Sequence, residues 1–192
     1  SLRQKYDNVK YIFKGSLLAS YCNPEEYRNE EKHCPLMIFP FGCNESQYDA
    51  VRNALENRLS VIQGPPGTGK TQTILNIVAN LLLYNKTCLI VSNNNSAVSN
   101  VVEKLSQPKY ALDFLVANLG RVENKENFKS SQTGSWPDLS SWKRGLRREI
   151  ELKSEIKKIE KGLKSYFESQ EKLAALTELE AEQRYQMELS HS

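Results

Sequence analysis

Between residues 44 and 120 the apolar positions switch between helical spacing and short unbroken runs. "NESQYDAVRNALEN" sets Ala50, Val51 and Leu55 near helical spacing, with Asn44 or Glu45 where a cap belongs. "RLSVIQG" is an apolar run ending in glycine and predicts a buried strand. "KTQTILNIVANLLLYN" places Ile74, Ile77, Val78, Leu81 and Leu82 on one helical face. "TCLIVS" predicts a second strand, "NSAVSNVVEKL" a helix capped by Asn95 or Ser96, and "DFLVANLG" a third strand. Strands and helices alternating with short connections predict an α/β fold, a parallel sheet covered by helices.

The flanks read differently. Residues 1–40 mix aromatic and charged residues without a clear period, and predict two short strands joined by a charged loop. They are expected to pack as an extension on the domain at 41–121. Residues 122–137 turn polar and read as a linker. From 138 to 192 a helical arm is expected, with Pro137 before it and Asp138 or Ser140 as cap. Leu152, Ile156, Ile159, Leu163, Tyr166, Gln170 and Leu173 alternate spacings of four and three, a coiled-coil seam with one polar break at Gln170. One helix of about 50 residues would be roughly 75 Å long. Gly145 and Gly162 weaken it.

Charge is uneven along that arm. Residues 142–164 hold nine Lys/Arg against four Glu, and residues 165–192 hold six Glu against two Lys/Arg. Two such arms laid antiparallel would match basic half to acidic half. Solvated faces on a helix whose partner lies elsewhere account for the same pattern.

The whole chain has 192 residues, 39% hydrophobic and 26% charged, with a net charge of +3. Those values predict a soluble globular protein and are too balanced to name a partner. No run approaches the roughly 20 apolar residues of a membrane span, and no signal-peptide pattern opens the chain, so an intracellular, cytoplasmic location is expected. Ser1 in place of Met suggests an excised or processed chain. Cys22, Cys34, Cys43 and Cys88 are irregularly spaced. A zinc site using His33 and Cys34 is conceivable, but reduced structural thiols are the expectation.

The densest chemical signal is Gly64-Pro65-Pro66-Gly67-Thr68-Gly69-Lys70-Thr71, a full match to G-x-x-x-x-G-K-[ST] between a predicted strand and a predicted helix. Glycines let the backbone curl so that its N–H groups face phosphate oxygens. Lys70 sets a positive charge on the outer phosphates, and the Thr71 hydroxyl is available to Mg²⁺. The helix N-terminus adds partial positive charge, with Gln72 in the same first turn. Pro65 and Pro66 stiffen the approach. Nucleotide binding is the expectation.

No N-K-x-D element supports guanine: "NKTC" and "NKEN" both lack the Asp. Gln47, by contrast, lies 17 residues before Gly64. Its amide carries a donor and an acceptor that can pair with adenine N6 and N7.

"NESQYDAVRNALENRLSVIQGPPGTGKTQT" followed by "CLIVSNNNSAVSNVVEKL" resembles a superfamily 1 helicase, of the type that includes the nonsense-mediated-decay helicase and senataxin. The resemblance spans about residues 41–121. It implies the first half of a RecA-like motor domain, with Asn44, Ser46, Gln47, Ala50 and Val51 as its adenine-reading motif. It further implies that Ser92, Asn93, Asn94 and Asn95 contact the backbone of single-stranded DNA or RNA. "NLGR", ending at Arg121, resembles the next short motif. Small amides where a predicted strand meets a helix suit phosphate or sugar contacts on their own account, and a helix-capping turn explains them equally.

Hydrolysis asks for more. Mg²⁺ wants a carboxylate at the end of an apolar strand, and a second acid to orient water. No four apolar residues followed by Asp-Glu occur, and Asp113 precedes its predicted strand. The chain is therefore expected to bind ATP with Mg²⁺ without hydrolysing it, as the N-terminal piece of an ATP-dependent helicase, the arm being the start of an insertion. The alternative is a stand-alone nucleotide-binding module that dimerises through its arm. An ATPase of the AAA type is a third reading, against which the Gln47 spacing and "SNNNSAV" speak.

Overall fold

Asn44, Gly69 and Asn94 each turn the chain into a helix, and these three helices make the core. A computed structural model describes residues 7–27, 36–120, 122–132, 134 and 137–190. The chain divides into two units, Ser1–Lys143 and Arg144–Ser192.

In the first unit, α1 (Leu17–Cys22) is capped by Ser16, whose Oγ accepts the Ala19 N–H at 3.2 Å. A 3₁₀ turn, Pro24–Tyr27, follows. Among the described residues of 1–40 neither of the two expected strands forms. His33 and Cys34 lie outside the described residues, as does Arg121. Cys22, Cys43 and Cys88 are free thiols.

α2 (Glu45–Glu56) opens with a capping box: Asn44 Oδ1 accepts the Gln47 N–H at 2.9 Å, and Gln47 Oε1 accepts the Asn44 N–H at 3.1 Å. α3 (Lys70–Leu83) starts at Gly69 and α4 (Asn95–Leu105) at Asn94. α2 and α4 both pack on α3. Leu75, Val101 and Leu105 form a buried cluster, with Phe41, Ile74, Ile90, Leu112 and Val116 against it. On the α2 side Tyr48 and Val51 are buried, and Tyr48 stacks on Phe39 with ring centroids 5.1 Å apart.

The expected parallel sheet is not there: among the described residues no strand forms. Segments 60–65 and 86–92 carry no regular secondary structure, and the third expected strand, 113–120, opens on a 3₁₀ turn, Asp113–Leu115. Val61, Leu89 and Val91 are 74%, 86% and 79% exposed. An apolar run states that residues favour burial. A strand also needs a neighbour to accept its N–H and C=O groups, and local sequence does not reveal that neighbour. Here apolar burial is met by helix on helix.

α3 also departs from the expected face. Leu82 is 39% exposed, while Asn76 and Asn80 are fully buried. Residues 122–131, read as linker, form a helix, α5 (Val122–Ser131).

In the second unit, α6 (Leu146–Ser190) is one helix of 45 residues, about 68 Å long. It begins after Gly145 and not at 138: Asp138 instead accepts the Ser140 N–H at 2.8 Å, opening the 3₁₀ turn Ser140–Trp142. That bond holds the Asp138 carboxyl below its ordinary range. Ile159, Tyr166 and Leu173 of the expected seam are exposed. Exposed pairs such as Glu149–Lys153 at 2.6 Å lace the helix, each contributing little in water. Among the described residues no helix is long and apolar enough to cross a membrane.

Candidate nucleotide site

The loop from Gly64 to Thr71 is curled by two residues in the left-handed region. Gly67 has φ +87° and Gly69 φ +78°, a conformation that costs other residues about 1–2 kcal/mol. Gly69 is the N-cap of α3, and no side chain caps this helix. The N–H groups of its first turn have no partner within the helix by geometry. α2 and α4, in contrast, are both capped by asparagine. An uncapped N-terminus behind a left-handed glycine presents donors and partial positive charge to an anion.

Side chains hold this curl. Lys70 Nζ reaches back across the loop and donates to Gly64 O at 2.6 Å and Pro65 O at 2.7 Å. Thr68 Oγ1 donates to Pro65 O at 2.9 Å. The ammonium has three donors, so it braces the loop and keeps one for a ligand. Lys70 is exposed and Thr71 half-buried.

Gln47 is brought to the same place. It is 9% exposed, and its Nε2 donates to Thr68 O at 3.1 Å. A Cβ on Gly69 would collide with that same Nε2. The glycine is thus required twice, by its φ and by the amide lying against it. An amide has two N–H groups and two carbonyl lone pairs, so after its bonds to Thr68 and Asn44 it retains one of each. Gln72 donates to the Phe41 carbonyl, tying the first turn of α3 to the segment before α2.

For Mg²⁺, which needs several oxygen ligands, Thr71 supplies one hydroxyl. Among the described residues no group of three His, Cys, Asp or Glu could hold a metal. The chain's own donors fit a cation carried in with phosphate oxygens.

The asparagine cluster makes local bonds. Asn94, not Asn95 or Ser96, caps α4: its Oδ1 accepts from Ser96 N at 3.0 Å and Ser96 Oγ at 2.8 Å. Its own N–H donates to Ser92 Oγ at 3.1 Å. The residue before the helix has extended backbone, which is what lets its side chain fold back on the first turn. Ser92, Asn93, Asn94 and Asn95 are all exposed.

What the sequence reading missed is on α3. Asn76 and Asn80 are fully buried mid-helix amides, with Gln72 and Tyr84 in the same stripe. The spacing of four was the available signal.

Comparison with known proteins bears on this geometry. A family described as an AAA domain matches residues 42–191, most of the chain. The chain belongs to this family. Within the AAA domain family it is similar to Regulator of nonsense transcripts 1 homolog of Drosophila melanogaster, 49% identical over 63 residues, 32% of this chain and 5% of that protein. It is similar to RNA helicase aquarius of Mus musculus, 32% identical over 123 residues, 62% of this chain and 8% of that one. An ATP-dependent helicase of Methanocaldococcus jannaschii is 35% identical over 119 residues, 61% of this chain and 17% of that protein. The chain therefore spans less than a fifth of each. An AAA-type ATPase was the third reading of the sequence, while the aquarius and Methanocaldococcus jannaschii relatives are helicases by name. These matches bear out the resemblance to superfamily 1 helicases of the nonsense-mediated-decay helicase type, over the region of the first motor domain. No solved structure matches.

Proposed function

We propose that the chain is the ATP-binding part of the first motor domain of an ATP-dependent helicase or translocase. The observation that carries this is the uncapped start of α3, braced by Lys70 and touched by Gln47 through Thr68. In this reading residues 64–71 and Gln72 take the triphosphate, and Thr71 supplies one ligand to its Mg²⁺. Gln47 offers its remaining donor and acceptor to adenine. Ser92, Asn93 and Asn95 meet the backbone of single-stranded DNA or RNA, with Asn94 shaping the turn. The chain alone binds ATP and does not hydrolyse it, because its sequence carries no apolar run ending in Asp-Glu.

Calorimetry with ATP and GTP in Mg²⁺ tests this. The wild-type chain is expected to prefer ATP. Gln47→Ala is expected to lower ATP affinity about tenfold and GTP affinity far less, the difference being one base-directed amide. Equal losses for both nucleotides would remove Gln47 from base reading.

A second reading rests on the arm. Ile159, Tyr166 and Leu173 repeat every seven residues, are exposed, and run from a basic into an acidic half. A second copy laid antiparallel would cover the apolar repeat and pair the charges. Sedimentation expects a dimer that weakens in salt; a monomer at high concentration ends this reading.

A further inference from the structure

Three side chains of α3 and that of Tyr84, its C-cap residue, grip the backbone of residues 36–42. Tyr84 OH accepts the Leu36 N–H at 3.2 Å and donates to Leu36 O at 2.6 Å. Asn80 Oδ1 accepts the Ile38 N–H at 2.9 Å, and its Nδ2 donates to Ile38 O at 2.7 Å. Asn76 Oδ1 accepts the Phe41 N–H at 3.2 Å, and its Nδ2 donates to Gly42 O at 2.7 Å. Gln72 donates to Phe41 O. Each of the first three treats the segment as a neighbouring strand would, giving one donor and one acceptor.

The register has a geometric cause. Residues four apart on a helix rise by about 6 Å. Two residues of extended chain advance by about 6.6 Å. Tyr84 and Asn80 therefore match Leu36 and Ile38, two residues apart, and beyond the turn closed by the Gly42 N–H on Phe39 O, Asn76 and Gln72 take up Phe41 and Gly42. Apolar packing alone would tolerate a slip, whereas paired N–H and C=O groups do not. Asparagine is a poor helix former and costly to bury without partners. Two of them, fully buried and each bonded through both its oxygen and its nitrogen, mark a requirement beyond filling space.

We propose that Gln72, Asn76, Asn80 and Tyr84 are positioning residues for base recognition, a rail that sets Gln47 against the phosphate loop. The inference rests on the nucleotide reading above. Its path is continuous: Asn76 holds Gly42, two residues on Asn44 caps α2, and Gln47 of that cap bonds Thr68, beside the Gly69 that starts α3. Base-reading amide and phosphate-binding helix are thereby anchored to one rigid element. Asn76→Ala leaves the loop and Lys70 in place but releases the segment that aims Gln47.

The test compares ATP with inorganic tripolyphosphate, which has no base, on the 192-residue chain. Asn76→Ala is expected to lose about tenfold in ATP affinity with tripolyphosphate affinity unchanged, and to show faster hydrogen exchange at the Phe41 amide. Should Asn76→Ala fail to fold, Tyr84→Phe decides. It keeps the ring, and a roughly threefold ATP loss with faster exchange at Leu36 supports the rail. Equal losses for both ligands, or unchanged ATP affinity with the segment demonstrably loosened, overturn it. A wild-type chain that binds neither ligand removes the nucleotide reading, and the rail's role with it.

Discussion

Lys70→Ala is expected to lower ATP affinity roughly 100-fold, the loss of charge-assisted bonds to the outer phosphates. Its Nζ also ties Gly64 O and Pro65 O together, so the substitution opens the loop as it removes the charge. Both effects act on phosphate binding, and neither acts on the base. ATP, GTP and tripolyphosphate should therefore all weaken by a similar factor, the opposite pattern to Gln47→Ala. The side chain is exposed, so little apolar burial is at stake and thermal unfolding should move little. Calorimetry with the three ligands decides it. Retained tripolyphosphate affinity in Lys70→Ala would show that the lysine serves the loop alone.

Gly69→Ala is expected to damage stability and binding together, and its comparison with Gly67→Ala isolates the cause. Both glycines have positive φ, so an alanine at either is strained by about 1–2 kcal/mol. At Gly67 a Cβ meets nothing within 4 Å. At Gly69 it collides with Gln47 Nε2 and comes within 3.2 Å of Gln72 Oε1. Gly67→Ala should thus lower the unfolding midpoint by about 2–8 °C, the strain alone. Gly69→Ala should lower it further and abolish the preference for ATP over GTP, because Gln47 is displaced from Thr68. Equal effects of the two alanines on base preference would refute the account of Gly69 as a double constraint.

The difference between these glycines was not legible in the motif, where both are simply G. The curl of the loop was, because a glycine's conformational freedom is specified by the residue itself. Helix starts were nearly as readable, since a cap is a short-range hydrogen bond, and Asn44 was one of the two cap candidates named for α2. The cap of α4 was placed one or two residues late, at Asn95 or Ser96, because Asn94, Asn95 and Ser96 are chemically alike and only backbone angles choose among them. The sheet was the large error. Three apolar runs satisfied a local pattern for strands, yet the described residues bury their core between helices and leave Val61, Leu89 and Val91 outside.

By itself the sequence determined the curled glycine loop at 64–71, the helices α2, α3 and α4, and the long arm, because each follows from contacts within a few residues. Only the tertiary structure decided which apolar runs found partners, that Gln47 lies on the Thr68 carbonyl, and that α3 turns asparagines inward to hold residues 36–42. Those bonds join residues 21 to 48 positions apart. A hydrogen-bonding side chain declares what it can bind, and only the fold brings the partner to it.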